Sequence, residues 1–480
     1  MNMTAPDFIA LLPLLIVTGT SILIMLVVAV RRRHAVTAAL TLAGLAVAFA
    51  SVWVAATVAP RQVTPLLFMD RYALFYIGLI LAASMAFVLL AYDYFRQCEG
   101  DHDELYILML VATLGSSVLA ASSHLVSLFL GLELLSVSLY AMISYLYQRP
   151  LPLEAGLKYL VLAAVSAAFL LFGIALLYAA LGTMDLARIA TTLAGAAPLE
   201  RPLVLPGLAL VITGLGFKLA VVPFHLWTPD VYEGAPAPVT AYIATVSKGA
   251  IFAVLLRTFY RSGAHGFTAI FIVFSVIALA SMYAGNILAL LQTNVKRMLA
   301  YSSIAHLGYL LVAFQAAGDL GPPAVTFYLV AYFVTTLGAF GVISALSAGG
   351  NEPAELEQYR GLFWRRPTVA AVFTAMLLSL AGIPLTAGFI GKFYILAAGA
   401  SSAVWALVIS PVVTSAIGLY DYLRVVVILY ARPETGREPE PRLDAVPNFV
   451  LALLTVLLFW FGIFPGVLLG LIREAVVGLA

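Results

Sequence analysis

Residues 214–239 of the 480-residue chain read GLGFKLAVVPFHLWTPDVYEGAPAPV. Lys218 lies inside an otherwise apolar run, Pro223 interrupts the run five residues later, and His225 follows almost at once. A lysine at the centre of a membrane-spanning helix costs about 2.5–3.5 kcal/mol on insertion scales. If this run crosses a membrane, it therefore predicts an interrupted helix with a polar site beside the interruption.

Composition identifies the chain as an integral membrane protein. Hydrophobic residues make up 63% of the chain and charged residues only 10%, with a mean hydropathy of +1.06. Soluble domains carry about 25% charged residues, so a water-soluble fold is excluded. The net charge of +2 gives no sign of nucleic-acid binding. Cys98 is the only cysteine, which excludes an internal disulfide, a cysteine-rich iron–sulfur site and a zinc finger.

Apolar runs of the length that crosses a bilayer, about 20 residues, follow one another along the chain. This pattern predicts an all-α integral membrane protein with about fourteen transmembrane helices. We place them at residues 8–30, 35–58, 70–92, 105–122, 125–147, 154–181, 203–223, 237–257, 267–291, 297–315, 323–348, 366–399, 403–430 and 447–471. Among the connections, 350–366 predicts a short amphipathic segment on the inner surface, and 432–446 predicts a flexible inner loop.

Basic residues are divided unevenly between alternate connections. Thirteen fall in one set, at Arg31, Arg32, Arg33, Arg96, Arg149, Lys296, Arg297, Arg360, Arg365, Arg366, Arg432, Arg437 and Arg442. Seven fall in the opposite set, at Arg61, Arg71, Arg188, Arg201, Arg257, Arg261 and Arg473. Because connections rich in arginine and lysine stay in the cytoplasm, both termini are predicted to face the outside.

Four of the five lysines fall inside predicted spans: Lys158, Lys218, Lys248 and Lys392. Lys158 is close enough to the end of its span for the side chain to reach the headgroups. The other three lie deep inside their apolar stretches. A desolvated lysine can release its proton near neutral pH, whereas arginine stays charged in any protein setting. The choice of lysine therefore favours proton transfer.

Two buried acids have different explanations. Glu133, in SLFLGLELLSVSLY, is the only glutamate deep inside a predicted span. It is the expected partner of Lys158 or Lys218, either as a modulating carboxylate or as half of a static buried ion pair. Asp421 has Arg424 three residues further on, so a local ion pair is predicted there.

Two helix breaks accompany the lysines. Pro223 interrupts the seventh span, and Pro384, within GIPLTAG at 382–388, interrupts the twelfth. Backbone groups freed at such breaks are tolerated only inside protein or water, and they often bind ions. His225 beside the first break and His306 in the tenth span are candidate relays or, equally, hydrogen-bonded core residues. Together these features predict a polar axis within the membrane that conducts ions, most simply protons.

The spacing of the breaks predicts an internal repeat. They lie five spans apart, and because five is odd, two five-span units of opposite orientation are expected, as in an inverted repeat. The predicted divisions are the N-terminal transmembrane helices at 1–104, the first repeat at 105–257, the second repeat with its inner-surface segment at 258–430, and an inner loop with the C-terminal helix at 431–480.

Four stretches carry a resemblance to a known family: residues 214–239, TNVKRMLAYSSIAHLGYLL at 293–311, YRGLFWRRP at 359–367 and LSLAGIPLTAGFIGKFY at 378–394. The chain resembles the subunit N family of the antiporter-like membrane subunits of bacterial respiratory complex I, the proton-pumping NADH:quinone oxidoreductase. The resemblance implies fourteen spans and two inverted five-helix repeats with broken seventh and twelfth helices. The WTPDVYEGAP form and the lysine in the twelfth span favour subunit N over subunits L and M.

The resemblance also implies roles for the residues already singled out. Glu133 would be a modulating carboxylate and Lys218 the central proton carrier, with Lys158 on the input side or tuning Glu133. Lys248, with His306, would connect Lys218 laterally to Lys392, which would exchange protons with the outer side. The family's histidine after the seventh-span lysine corresponds to His225.

The resemblance further implies where the chain works and with what. FMN, iron–sulfur clusters and quinone are expected in other subunits, and no cofactor or metal site is expected in this chain. The expected partners are subunit M, the small subunits K and J, and the lipid bilayer of the bacterial cytoplasmic membrane. Two alternatives stay open: a subunit of a multisubunit cation/proton antiporter, which shares this fold, and a membrane scaffold with inert buried pairs.

Overall fold

A computed structural model describes residues 3–193, 202–260, 268–316, 320–401, 405–432 and 444–479, and nearly all of their secondary structure is helical. The helices are α1 Ala5–Ala10, α2 Leu12–Val30, α3 His34–Ala56, α4 Arg71–Arg96, α5 Glu104–Ala121, α6 Leu125–Ile143, α7 Pro150–Leu181, α8 Leu186–Leu193, α9 Val204–Leu219, α10 Trp227–Gly234, α11 Ala237–Tyr242, α12 Lys248–Leu255, α13 Thr268–Leu290, α14 Val295–Phe314, α15 Gly321–Ala345, α16 Leu362–Arg365, α17 Pro367–Ala381, α18 Ala387–Ser401, α19 Trp405–Tyr430, α20 Ala445–Ile463 and α21 Gly466–Val476. Strands β1 Arg61–Thr64 and β2 Leu67–Met69 form an antiparallel hairpin.

Twelve crossings among the described residues are long and apolar enough to span a membrane. One of them is composite, because two π-helical turns, Ile243–Ser247 and Leu256–Tyr260, join and extend α11 and α12. The two remaining predicted crossings consist of shorter apolar helices, α9 for the seventh and α17 followed by α18 for the twelfth. The prediction of an all-α membrane fold with about fourteen crossings is confirmed.

The breaks in the seventh and twelfth spans are confirmed as well. Helix α9 ends at Leu219, and the next residue, Ala220, adopts a left-handed conformation with φ 62°. The seventh span therefore stops short of its predicted end at residue 223, because a left-handed residue cannot continue the helix and Pro223 lacks an amide donor. Helix α17 ends in the same way before Gly382, with φ 85°.

Backbone groups at the breaks are satisfied by the protein itself. The Trp227 indole donates to the Phe217 carbonyl at 3.0 Å, and the Val222 amide donates to Ser281 Oγ at 2.9 Å. At the second break the Gly388 amide donates to Ser379 Oγ at 3.1 Å. Several freed backbone groups at both breaks are thus satisfied inside the protein, as irregular backbone at membrane depth requires, although Pro223 and Pro384 themselves are exposed.

The two sets of connections lie on opposite faces of the bundle. Contacts within the first set join Arg32 to Glu104, Arg96 to Asp444, and Lys296 to Glu352. Contacts within the second set join Asp7 to Arg61 and Asp70 to Arg257. We call the first the arginine-rich face; which face is cytoplasmic stays a prediction. Four of the counted basic residues and most of the loop at 432–446 lie outside the described residues: Arg201, Arg261, Arg437 and Arg442.

The segment at 350–366 on the arginine-rich face is not one amphipathic helix. It contains a 3₁₀ turn at Leu356–Tyr359 and the single turn α16, separated by Gly361 in the left-handed region. The Leu356 amide donates to the Thr293 carbonyl at 2.9 Å, and the Gly361 amide donates to the Ile428 carbonyl at 3.0 Å. The segment therefore ties the ends of α13 and α19 together instead of lying free on the surface.

Glycines allow very close helix crossings at corresponding places in the two predicted repeats. In the first repeat, a Cβ on Gly115 of α5 would lie 2.7 Å from the Leu135 amide nitrogen of α6. In the second, a Cβ on Gly285 of α13 would lie 2.6 Å from the Ala305 amide nitrogen of α14. Because backbone cannot move aside as a flexible side chain can, each crossing depends on the absence of a side chain.

We expect Gly285→Ala to destabilise the α13–α14 crossing by about 1–3 kcal/mol, the usual cost of forcing an extra methyl group into a packed interior. The measurement is retention of the chain in its purified membrane complex during stepwise heating. Gly19→Ala in α2 is the matched control, since no atom lies within 4 Å of its Cβ position. Equal heat resistance of the two variants would contradict this account of the crossing.

Candidate functional site

Lys218 lies in the last turn of α9, immediately before the first break, and only 4% of it is exposed. Its Nζ donates to Ser136 Oγ of α6 at 2.7 Å. The ammonium also lies over the rings of Tyr159 and Phe217, at 5.4 and 5.7 Å from their centroids. A hydroxyl group and two aromatic faces thus contact and stabilise this cation.

Glu133 lies one helical turn before Ser136 on α6 and interacts electrostatically with Lys218. The two groups are not within ion-pair distance, and among the described residues Glu133 Oε1 has no hydrogen-bond partner. The predicted static ion pair is therefore absent from this arrangement. Glu133 is instead placed to change the electrostatic environment of Lys218 without binding it directly.

Lys158 is exposed near the end of its span, as one of its two predicted environments requires, and it does not meet the other, a pairing with Glu133. Its side chain is 43% exposed, and its Nζ contacts Glu154 at 2.7 Å and Asp230 at 2.8 Å. Asp230 also pairs with Arg297 at 2.7 Å. Lys158 therefore does not pair with Glu133: these nearer carboxylates, one of them on α10, hold it in a network of ion pairs.

Lys248 begins α12 directly after a π-helical turn and is 1% exposed. Its Nζ donates to Ser303 Oγ of α14 at 2.5 Å and lies 5.3 Å from the Tyr232 ring centroid. Ser303 Oγ is also 2.6 Å from the Tyr332 hydroxyl of α15. Nothing in the hydrophobic pattern indicated the π turn, although such turns are frequent at functional sites.

His306 lies between the environments of Lys248 and Lys392 and interacts electrostatically with both lysines. One ring nitrogen, Nδ1, is hydrogen-bonded to the Tyr328 hydroxyl. The other, Nε2, is 3.2 Å from the Tyr422 hydroxyl. Both nitrogens of this buried ring are therefore engaged by hydroxyl groups, which can donate or accept a proton.

Lys392 of α18 reaches back to the second helix break. Its Nζ donates to the Ala381 carbonyl at the end of α17 and to Ser415 Oγ of α19, both at 3.0 Å. It also lies 5.2 Å from the centroid of the Tyr309 ring. The C-terminal end of a helix carries partial negative charge, so the break provides a binding position for the ammonium group.

Helix α14 is common to the second half of this arrangement. Its side chains meet Lys248 through Ser303 and Lys392 through Tyr309, with His306 between them. Sequence reasoning identified the histidine and the two serines one turn before it, but not the tyrosine hydroxyl groups around it. Tyrosine is common in membrane helices, so nothing in the spacing of these tyrosines alone distinguishes them.

The predicted axis has one gap, and one of its two candidate histidines lies apart from it. No hydrogen bond among the described residues links the Ser136–Lys218 contact with the Lys248–Ser303 contact. His225, beside the first break, is 9% exposed and its Nδ1 has no partner in the described part of the chain. The structure thus places His306 within the axis and leaves His225 at its margin.

The predicted ion pair of Asp421 with Arg424 is wrong. Arg424 donates instead to the Leu290 carbonyl at 3.1 Å and to the Gln292 carbonyl at 2.7 Å. Both carboxylate oxygens of Asp421 are buried, without a hydrogen-bond partner among the described residues. Carbonyls freed at the C-terminus of α13 attract the guanidinium group, and sequence spacing along α19 could not reveal them.

Comparisons with known proteins agree with this architecture. Residues 122–418 match the family described as NADH:quinone oxidoreductase/Mrp antiporter, TM. The chain is 50% identical over 485 residues to NADH-quinone oxidoreductase subunit N of Ectopseudomonas mendocina (strain ymp), which covers 98% of this chain and 97% of that protein.

Solved structures share the fold along nearly the whole chain. A chain of respiratory complex I from Thermus thermophilus with bound aureothin superposes with a TM-score of 0.82 and 35% identity, covering 95% of this chain and 98% of that one. A chain of the Mrp complex from Dietzia sp. DQ12-45-1b has a TM-score of 0.87 at 22% identity, covering 99% and 98% respectively, which shows a common fold alone.

The chain therefore belongs to the NADH:quinone oxidoreductase/Mrp antiporter membrane family. Its extensive identity with a subunit N protein further assigns it to the subunit N family of NADH-quinone oxidoreductase. The resemblance carried by the four sequence stretches is confirmed.

We expect Ser136→Ala to slow NADH-driven proton uptake into inverted membrane vesicles, because Lys218 loses the hydroxyl group that accepts its hydrogen bond. A hydrogen bond to a charged group contributes about 1.5–3 kcal/mol, so transfer through Lys218 should slow about tenfold or more.

Ser138→Ala, on the same helix, is the matched control. Its hydroxyl is also buried but donates only to the Leu134 carbonyl of its own helix, at 2.9 Å. Equal effects of the two substitutions would show that the hydroxyl of Ser136 has no special role.

Proposed function

We propose that this chain is the proton-translocating subunit N of a bacterial respiratory NADH:quinone oxidoreductase. The observation that carries the proposal is the environment of three lysines inside the predicted spans: Lys218 and Lys248, which are buried, and Lys392, which is partly buried. Each donates to a serine hydroxyl, and none of them forms an ion pair among the described residues. An ammonium group bound by a hydroxyl can give up its proton without leaving a carboxylate unpaired, which suits a carrier better than a static ion pair does.

The proposed proton path has an input half around Lys218 and an output half around Lys392. In the first half, Glu133 modulates Lys218, the central carrier, and Lys158 with Asp230 lies at the entrance. A shift of negative charge towards Lys218 favours its protonated form, and a shift away favours release. Because Glu133 lies close to Lys218 without binding it, a small movement of α6 or α9 changes this balance.

The second half passes the proton laterally. Lys248 gives a proton to the hydroxyl pair of Ser303 and Tyr332, and His306 receives it through the neighbouring tyrosine hydroxyls. Each hydroxyl accepts one proton and releases another, so no charged tyrosine needs to persist. Lys392 then holds the proton at the end of α17 before it leaves on the outer side. His225 serves as a further relay at the margin of the first break.

The energy for this transfer comes from other subunits. FMN, iron–sulfur clusters and quinone are assigned to those subunits, and this chain contributes no redox step. Subunit M and the small subunits K and J are the proposed neighbours. The proposed location is the bacterial cytoplasmic membrane, with the arginine-rich face towards the cytoplasm and both termini on the periplasmic side.

We expect Lys218→Ala to remove most proton transfer through this chain, since a positioned acid–base group contributes about 10²–10⁴-fold to its own step. NADH-driven pumping should fall and NADH oxidation should slow in parallel, at matched assembly. Lys158→Ala should have a milder effect, because exposed ion pairs contribute only about 0–1 kcal/mol.

Arg473→Ala, at an exposed position of α21, serves as the assembly control. Normal pumping in assembled Lys218→Ala enzyme would remove Lys218 from the path. Unchanged NADH oxidation and pumping together with a defect in sodium or potassium exchange would instead identify a cation/proton antiporter subunit.

A further inference from the structure

Asp421 of α19 is a buried carboxyl group that the proposed path does not use. It is 1% exposed, and neither carboxylate oxygen has a hydrogen-bond partner among the described residues. Burying an ionised carboxylate without a partner costs several kcal/mol. No hydrogen bond or ion pair within the described part of the chain offsets that cost, and ionisable residues inside membrane helices commonly mark ion and proton paths.

The contacts on either side of Asp421 fix its position. Three residues further on, Arg424 binds the Leu290 and Gln292 carbonyls, where α13 ends at the arginine-rich face. Three residues earlier, Gly418 packs so closely on α13 that a Cβ there would lie 2.4 Å from Asn286 Oδ1. Three residues of helix rise about 4.5 Å, so Asp421 lies one turn deeper than Arg424.

The groups beyond Asp421 belong to the output half of the site. Asn286 Nδ2 lies 3.0 Å from the Tyr309 hydroxyl, and the Tyr309 ring lies against Lys392. Tyr422, the next residue along α19, is hydrogen-bonded through its hydroxyl to Ser302 Oγ at 2.5 Å and to His306 Nε2 at 3.2 Å. Asp421 therefore lies between the arginine-rich face and the cluster formed by His306, Tyr422, Tyr309 and Lys392.

The charged groups near Asp421 leave it available. Arg424, on the same helix, uses both terminal guanidinium nitrogens for backbone carbonyls. Lys392, on the neighbouring α18, is held by Ala381 and Ser415. A carboxyl group without a hydrogen-bond partner among the described residues, one position before the tyrosine whose hydroxyl reaches an imidazole, is suited to accept a proton and pass it on.

We propose that Asp421 carries protons between the arginine-rich face and the His306–Lys392 cluster. This inference rests on the proposed function and adds a second entry to the path, independent of Lys218. The carboxylate takes a proton from water at the face and becomes the neutral acid. A bridging water molecule then relays the proton: as the Asp421 O–H bond breaks, the water accepts that proton and donates one of its own to the Tyr422 oxygen, while the original Tyr422 hydroxyl proton passes to His306 Nε2. The products are a carboxylate and an imidazolium, so charge is conserved.

The test compares Asp421→Asn, Asp421→Glu and Asp101→Asn in the whole assembled enzyme. Asparagine keeps the size of the side chain but cannot carry a proton, and glutamate restores the acid. Asp101 is the control, because its exposed carboxylate pairs only loosely with Arg32, at 3.6 Å. Initial rates of NADH-driven proton uptake into inverted vesicles are measured, together with NADH oxidation by the detergent-solubilised enzyme with and without added formate.

We expect Asp421→Asn to slow both rates severalfold, Asp421→Glu to recover most of the loss, and Asp101→Asn to behave like the native chain. Formic acid, a small membrane-permeant acid, should restore oxidation in Asp421→Asn because it delivers protons to the vacated position. A purely structural role would not respond to formate. Native rates in Asp421→Asn, or a loss that neither glutamate nor formate repairs, would overturn the proposal.

Lys392→Ala in the same preparation separates this inference from the proposed function. If Lys392→Ala slows pumping and Asp421→Asn does not, only the role of Asp421 fails. If neither substitution changes pumping in fully assembled enzyme, the proposed proton path through this half of the chain fails as a whole.

Discussion

The need to stabilise ammonium groups inside the membrane-spanning helices is the constraint on which this fold depends. The protein meets it with hydroxyl groups, aromatic faces and the freed carbonyl of Ala381, and not with carboxylates in direct contact. A hydroxyl group accepts a hydrogen bond from the charged lysine, and it can also donate one to the neutral amine, since hydroxyls both donate and accept hydrogen bonds. A contacting carboxylate would hold the proton much more firmly.

This requirement explains why two spans are broken and why some crossings are so close. A continuous helix uses its own carbonyls, whereas a helix that ends inside the bundle presents them to other groups. The glycine crossings bring α13 against α14, and thereby help to position Ser303, His306 and Tyr309 as one row. The same crossing in the first repeat brings α5 against α6, which carries Glu133 and Ser136.

Basic residues at the two faces contact carboxylates, whereas the lysines of the axis contact serine hydroxyls. Arg32, Lys296 and Arg257 each contact a carboxylate within 2.7 Å, and Lys158 contacts two within 2.8 Å. These pairs fasten connections to one another and define the ends of the bundle. Within the described ranges, Lys218, Lys248, Lys392 and Asp421 form no such pair, which suits the proposed changes in their protonation.

The sequence by itself determined the membrane class, the crossings, the two breaks and the residues whose burial is costly. These follow from local properties: apolar run length, the missing amide donor of proline and the price of a charge in hydrocarbon. Only the tertiary structure decided the partners. Lys158 pairs with Asp230 and not with Glu133. Arg424 binds carbonyls at the end of α13 and does not pair with Asp421. His306 is hydrogen-bonded to Tyr422, 116 residues away. Such contacts depend on how distant helices pack, and a side chain binds the nearest suitable group in space and not along the chain.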